Sequence, residues 1–103
     1  MVRLKARIDV AQPAIVTALR EVGASVQSLA SLGKGVPDLL VYYRGTLYLL
    51  EVKTSPADRL TPDEARWHHG WGGIVWIVRS AEDALHAIGA AGRKPPNDPG
   101  CEK

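Results

Sequence analysis

The apolar positions change their spacing several times along the chain, and each change predicts an element. Ile15, Ala18, Leu19 and Val22 recur at helical spacing, so a helix is expected from Asp9 to a stop at Gly23. Asp9 followed by Gln12 has the form of a capping box, and Pro13 is tolerable in a first helical turn. Ser25 to Ala30 alternates and reads as a strand, and Ser31 to Val36 reads as a loop with glycines at 33 and 35. Asp38 to Arg44 and Thr46 to Lys53 form two β-prone runs around a tight Arg44-Gly45 turn, a hairpin. A polar loop over 54–60 leads to Thr61-Pro62-Asp63-Glu64. That tetrapeptide predicts an N-cap, a proline at the first helical position and a capping box closed by Glu64. The second helix is expected to end at glycines 70, 72 and 73. Ile74 to Val78 is almost wholly apolar, which predicts a central strand. Ser80 opens a last helix through Ile88, closed by Gly89. The order α-β-β-β-α-β-α predicts an α/β domain over 1–90, a central mixed sheet flanked by helices, with 91–103 a flexible polar tail.

Composition narrows the class without naming a partner. The chain has 103 residues, 46% of them apolar, enough for one modest core. Thirteen basic residues against eleven acidic ones leave a net charge of +2. Residues 1–10 hold Arg3, Lys5 and Arg7 against Asp9, and 91–103 hold three bases against two acids. The body between has seven bases and eight acids, so no basic nucleic-acid face is announced. One cysteine, Cys101, excludes a disulfide framework and a cysteine zinc site. No apolar run approaches the ~20 residues of a membrane span, and the N-terminus alternates basic and apolar residues without a signal-type core, so a cytoplasmic protein is expected.

The chemistry concentrates at Asp38, Glu51 and Lys53. Residues two apart on a strand share a face, so Glu51 and Lys53 point the same way, with alpha carbons ~6.5–7 Å apart. The hairpin brings Asp38 to the same end. Two neighbouring carboxylates repel, and burying them is costly unless a cation compensates. A hard divalent ion suits oxygen ligands, and magnesium keeps waters for a phosphate and a nucleophile. A solvated strand-end ion pair uses the same residues, and the sequence leaves both readings open.

Taken together, the helix ending in Gly23-Ala24-Ser25-Val26, then Gly33-Lys34-Gly35-Val36-Pro37-Asp38-Leu39-Leu40-Val41, Leu49-Leu50-Glu51-Val52-Lys53 and Leu60-Thr61-Pro62, resemble the PD-(D/E)XK nuclease superfamily. Within it the chain is similar to small stand-alone phage VRR-NUC nucleases, related to Holliday-junction resolvases, over roughly residues 7–89. The resemblance implies a restriction-endonuclease-like fold and a magnesium-dependent DNA endonuclease, with manganese able to substitute. It implies DNA, including branched DNA of the Holliday-junction or flap type, as partner, a homodimer, and a bacterial or phage-infected cell as the setting. Asp38 and Glu51, with the backbone carbonyl of Val52, would hold metal, and Lys53 would orient or deprotonate the attacking water. In two places the chain departs from relatives. Gln12 stands where many carry a metal-binding glutamate, and Glu64 where they often carry glutamine; both are accessory positions with capping as their ordinary role. These departures motivate a rival expectation, a nuclease-fold DNA-binding or assembly module that has lost cleavage.

Lys34, Arg59 and Arg66 are candidate phosphate contacts, and Arg3, Lys5 and Arg7 a candidate arm; each has simple solvation as its alternative. Trp67 and Trp71 at i,i+4 read as core or interface, and adjacent His68 and His69 make a poor zinc pair. Tyr42, Tyr43 and Tyr48 are expected to cover the sheet.

Overall fold

A computed structural model describes residues 11–55 and 57–90. The elements are α1 (Ala11–Glu21), β1 (Ser25–Ser28), β2 (Leu39–Tyr43), β3 (Thr46–Val52), α2 (Pro62–Trp71), β4 (Trp76–Val78) and α3 (Ala81–Ala87). The α-β-β-β-α-β-α order is the expected one. Asp9, its capping box with Gln12, the arm of Arg3, Lys5 and Arg7, and the tail 91–103 lie outside the described residues. A short 3-10 turn, Ala30–Leu32, occupies the start of the expected loop.

The four strands run in the order β1-β2-β3-β4, antiparallel except for the parallel β3–β4 pair. The β2–β3 hairpin pairs Leu39 with Leu50 and Tyr43 with Thr46. Its turn places Arg44 at φ 48° and Gly45 at φ 87°, two successive positive values of the kind a two-residue hairpin turn needs. That turn fixes the register, and the register decides which side chains face the core.

One face of the sheet carries Leu39, Val41, Tyr43 and Leu50, and α1 and α3 close over it with Ile15, Leu19, Ala84 and Ile88. These residues are almost wholly buried, and each large one is worth roughly 1.5–3 kcal/mol relative to exposure. Tyr48 joins this side by donating its hydroxyl to the Ile88 carbonyl at 3.3 Å. The opposite face is different in kind. Leu40, Tyr42, Leu47 and Leu49 lie there by register, and Tyr42 and Leu47 are exposed. Helix α2 has no buried residue.

The expectation that Ile74 to Val78 is central does not hold. Among the described residues β4 is three residues long and pairs only with β3, at the edge. Val78 alone is buried; Ile74, Trp76 and Ile77 are exposed. An apolar run says that burial would be favourable, but not which neighbour supplies it, so an uncovered edge reads like a covered centre.

Gly35 ties the site loop to α2. Its φ is +84°, and a Cβ there would strike the Asp63 carbonyl, 2.6 Å from its carbon and 3.0 Å from the Glu64 nitrogen. Backbone cannot yield as a side-chain tip does. Gly35→Ala is therefore expected to destabilise the fold by about 1–2 kcal/mol from backbone handedness alone, and more from the clash. Gly45, also at positive φ but with open space around it, should accept asparagine at little cost. Thermal melts of the two variants check the contrast.

Candidate active site

The strand register assembles the site. Because Leu39 pairs with Leu50, Asp38 lies one step outside β2, opposite Glu51, on the face away from α1 and α3. Two hydrogen bonds fix it: the Leu29 amide donates to its backbone carbonyl at 2.8 Å, and the Val52 amide donates to its Oδ2 at 2.8 Å. The Lys53 amide donates to the Val78 carbonyl at 3.0 Å, so β4 holds the backbone that aims this lysine. The loop after Lys53 is held in turn by Arg79, which donates to the carbonyls of Ser55 and Asp58.

Helix α2 reaches the same place from above. Thr61 caps it, its hydroxyl accepting from the Glu64 amide at 3.1 Å, while Glu64 Oε1 accepts from the Thr61 amide at 2.9 Å. The same Oε1 accepts from Lys53 Nζ at 2.6 Å, so Glu64 does more than cap. Lys53 Nζ lies 3.9 Å from Glu51 Oε2, a weaker contact than that with Glu64. One turn further along α2, His68 Nε2 stands 3.6 Å from Glu51 Oε1, and neither atom has a hydrogen-bond partner among the described residues.

The electrostatics follow from crowding. Glu51 is 2% exposed. Burial, then the charge of Asp38 and a hydrogen bond with it, then Glu64, push its carboxyl up to about 9, and Lys53 only partly opposes them. Burial also lowers His68, which opposes the attraction of Glu64, so the imidazole is neutral at pH 7 and offers no countercharge. Glu64 is lowered despite its burial, because Lys53 and the Thr61 amide bond its charged form. With all carboxylates ionised, three negative charges face one lysine among the described residues.

This is a cluster short of positive charge, and its chemistry suits a divalent cation. Glu51 Oε1 is buried, unpartnered and unable to ionise cheaply, the condition a bound cation relieves. Among the described residues no three carboxylate, imidazole or thiol groups already form a metal cluster. Two carboxylates and a carbonyl are nonetheless a usual complement for magnesium, which retains several waters.

The other expected residues are scattered. Gln12 is half-buried in the first turn of α1 and makes no hydrogen bond to Asp38 or Glu51. Lys34 and Arg66 line one depression with Asp63 and Trp67, and Arg66 pairs with Asp63 at 2.6 Å. Arg59 is exposed in the loop after Lys53. Trp71 is 53% exposed and stacks on Trp67, so it is not core. Sequence reasoning missed His68 as a site residue. Its signal was the i,i+4 spacing from Glu64, which puts both on one helix face.

No family model and no curated protein matches this sequence. A solved structure described as "VRR_NUC domain" does: it shares 29% identity, with 75% of this chain and 88% of that chain covered at a TM-score of 0.61. The chain has a VRR-NUC nuclease fold, of the PD-(D/E)XK type. On this VRR-NUC fold the mixed sheet flanked by helices is restriction-endonuclease-like.

The Glu51 shift has a sign that can be tested. An unfolded glutamate ionises near 4.5, whereas the folded one resists ionisation up to about 9. The metal-free protein therefore loses stability as pH rises from about 4.5 towards 9. Glu51→Gln removes that loss and should raise the melting temperature at pH 8.5 by at least about 4–8 °C, the equivalent of roughly 1 kcal/mol in a domain of this size and a fraction of what the shift implies. Wild type and variant should converge near pH 5. Melts in chelator at the two pH values make the comparison.

Proposed function

We propose that the protein is a divalent-metal-dependent deoxyribonuclease that hydrolyses phosphodiester bonds within DNA, including branched DNA. The observation that carries this reading is the buried Glu51 beside Asp38 and Lys53 on one sheet face. Similarity to a VRR_NUC structure supports it. Asp38, Glu51 and the Val52 carbonyl would hold magnesium, or manganese in its place. When bound, the ion supplies positive charge to the phosphodiester and acidity to water. Lys53 faces the developing charge on the phosphate and stabilises it, and holds the attacking water by hydrogen bond. Glu64 sets the direction of the lysine; His68 closes the far side of Glu51 and excludes bulk water from it.

A second reading, a DNA-binding or assembly module without cleavage, is favoured by the 2.6 Å Lys53–Glu64 pair, which occupies the lysine, and by the uncharged Gln12. Incubating linear and branched DNA with magnesium or manganese separates the two. Cleavage is expected from wild type, reduced at least ~100-fold by Asp38→Ala and by Lys53→Ala, in line with the loss of one charge-stabilising group. Cleavage that survives both substitutions overturns the nuclease reading. DNA binding without cleavage by wild type establishes the module.

We also propose a homodimer through the open sheet face, where exposed Tyr42 and Leu47 continue half-buried Leu40 and Leu49 as one apolar strip. A two-fold pair suits a partner with two strands. Sedimentation should give a dimer for wild type and a monomer for Leu47→Glu.

A further inference from the structure

Trp67 and Trp71 stack with ring centroids 4.8 Å apart and planes inclined by 17°. The outer ring, Trp71, is 53% exposed, with Gly73 beside its Nε1 edge, so the stack ends in a ring that solvent reaches. Large flat faces left in water are unfavourable, and nothing in the core explains this one. Trp67 also meets His68 edge-on, centroids 6.5 Å apart at 81°. The aromatic stack therefore adjoins the imidazole that stands against Glu51. Residues 68 and 71 are separated by about 4.5 Å along the helix axis, less than two stacked bases occupy.

The surroundings carry charge. Lys34, Arg66, Asp63 and Trp67 line a depression of about 310 Å³ on the flank of α2. Among the described residues Arg66 pairs with Asp63, and that pair is exposed on both sides, so its guanidinium can exchange partners at small cost. Lys34 projects from the glycine loop that leads to Asp38. An aromatic platform flanked by cations suits a single-stranded nucleotide: the base stacks and the phosphate pairs. A second copy of the chain would be expected on the uncharged strip of the sheet rather than here.

We propose that Trp71, stacked on Trp67, is a platform for an unpaired base next to the cleaved phosphate, with Lys34 and Arg66 holding the adjoining backbone. The preferred substrate is then DNA with a single-stranded segment at the cut, and this rests on the nuclease reading above. A fully paired duplex presents no free base face at that point.

The test uses labelled oligothymidine and a fully paired duplex of equal length, in chelator so that cleavage plays no part, with affinity read by anisotropy. Trp71→Ala should weaken oligothymidine binding about tenfold and leave duplex binding unchanged, while Trp71→Phe retains most of the affinity. Circular dichroism of both variants shows whether the fold is intact, and the phenylalanine variant keeps the test decisive if alanine unfolds the helix. Equal losses for both nucleic acids, or no loss, overturn the platform. So does a change from dimer to monomer in Trp71→Ala with oligothymidine affinity intact, which would assign the stack to a second copy. If wild type binds and cleaves DNA while Trp71→Ala is indistinguishable from it, the platform alone fails. If wild type binds no DNA of either kind, the nuclease reading fails with it.

Discussion

Among the described residues three clustered carboxylates have one lysine beside them, and that imbalance organises the site. Lys53 Nζ is 2.6 Å from Glu64 and 3.9 Å from Glu51, so half-buried Glu64 receives more of its charge than buried Glu51. Glu51 is left with Asp38 on one side and an unpartnered neutral histidine on the other. A carboxyl at 2% exposure in such company costs folding free energy unless it is protonated or meets a cation. A purely structural position would be better filled by leucine or glutamine, as pairs of this kind rarely repay their desolvation. The arrangement is intelligible as one that a divalent cation completes.

The fold bears that strain through backbone hydrogen bonds near the site. Asp38 is fixed at its carbonyl by Leu29 and at its carboxylate by Val52, and Lys53 is fixed at its amide by Val78. The edge strand β4 thus matters less for the core it buries than for the lysine backbone it holds. The core proper lies on the other face, between the sheet and the α1–α3 pair. Stability and chemistry are separated by the thickness of one sheet, so the acidic face can be unfavourable without a hole in the core.

Features governed by neighbours in sequence were legible from the sequence. Thr61, Pro62 and Glu64 lie within one turn, and the helix start they predict is the one observed. The Arg44-Gly45 turn sets the register that places Asp38 opposite Glu51, so the central constellation follows from local rules plus strand parity. What could not be read depends on tertiary approach. The edge position of Ile74 to Val78 needs knowledge of which strand it pairs with. The close contact of Gly35 with Asp63 joins segments 28 positions apart, and a glycine in a loop announces flexibility, not a neighbour. The i,i+4 spacing of His68 from Glu64 puts both on one helix face, but that this face meets Glu51 depends on how α2 packs over the site.

Glu64 shows why local and distant roles need not compete. Its Oε1 accepts from the Thr61 amide at 2.9 Å and from Lys53 Nζ at 2.6 Å, so one oxygen both starts the helix and anchors the lysine. A glutamine could provide the cap as well, but its neutral amide would hold the ammonium less tightly. The carboxylate therefore raises the stability of the resting arrangement at the cost of competing with Glu51 for the only lysine among them. On the nuclease reading, a cation held by Asp38 and Glu51 would offset their charge, and the competition would then cost little, because buried Glu51 would no longer depend on Lys53. Glu64 and such a cation would be complementary: the one holds the lysine off Glu51, and the other would make it unnecessary there.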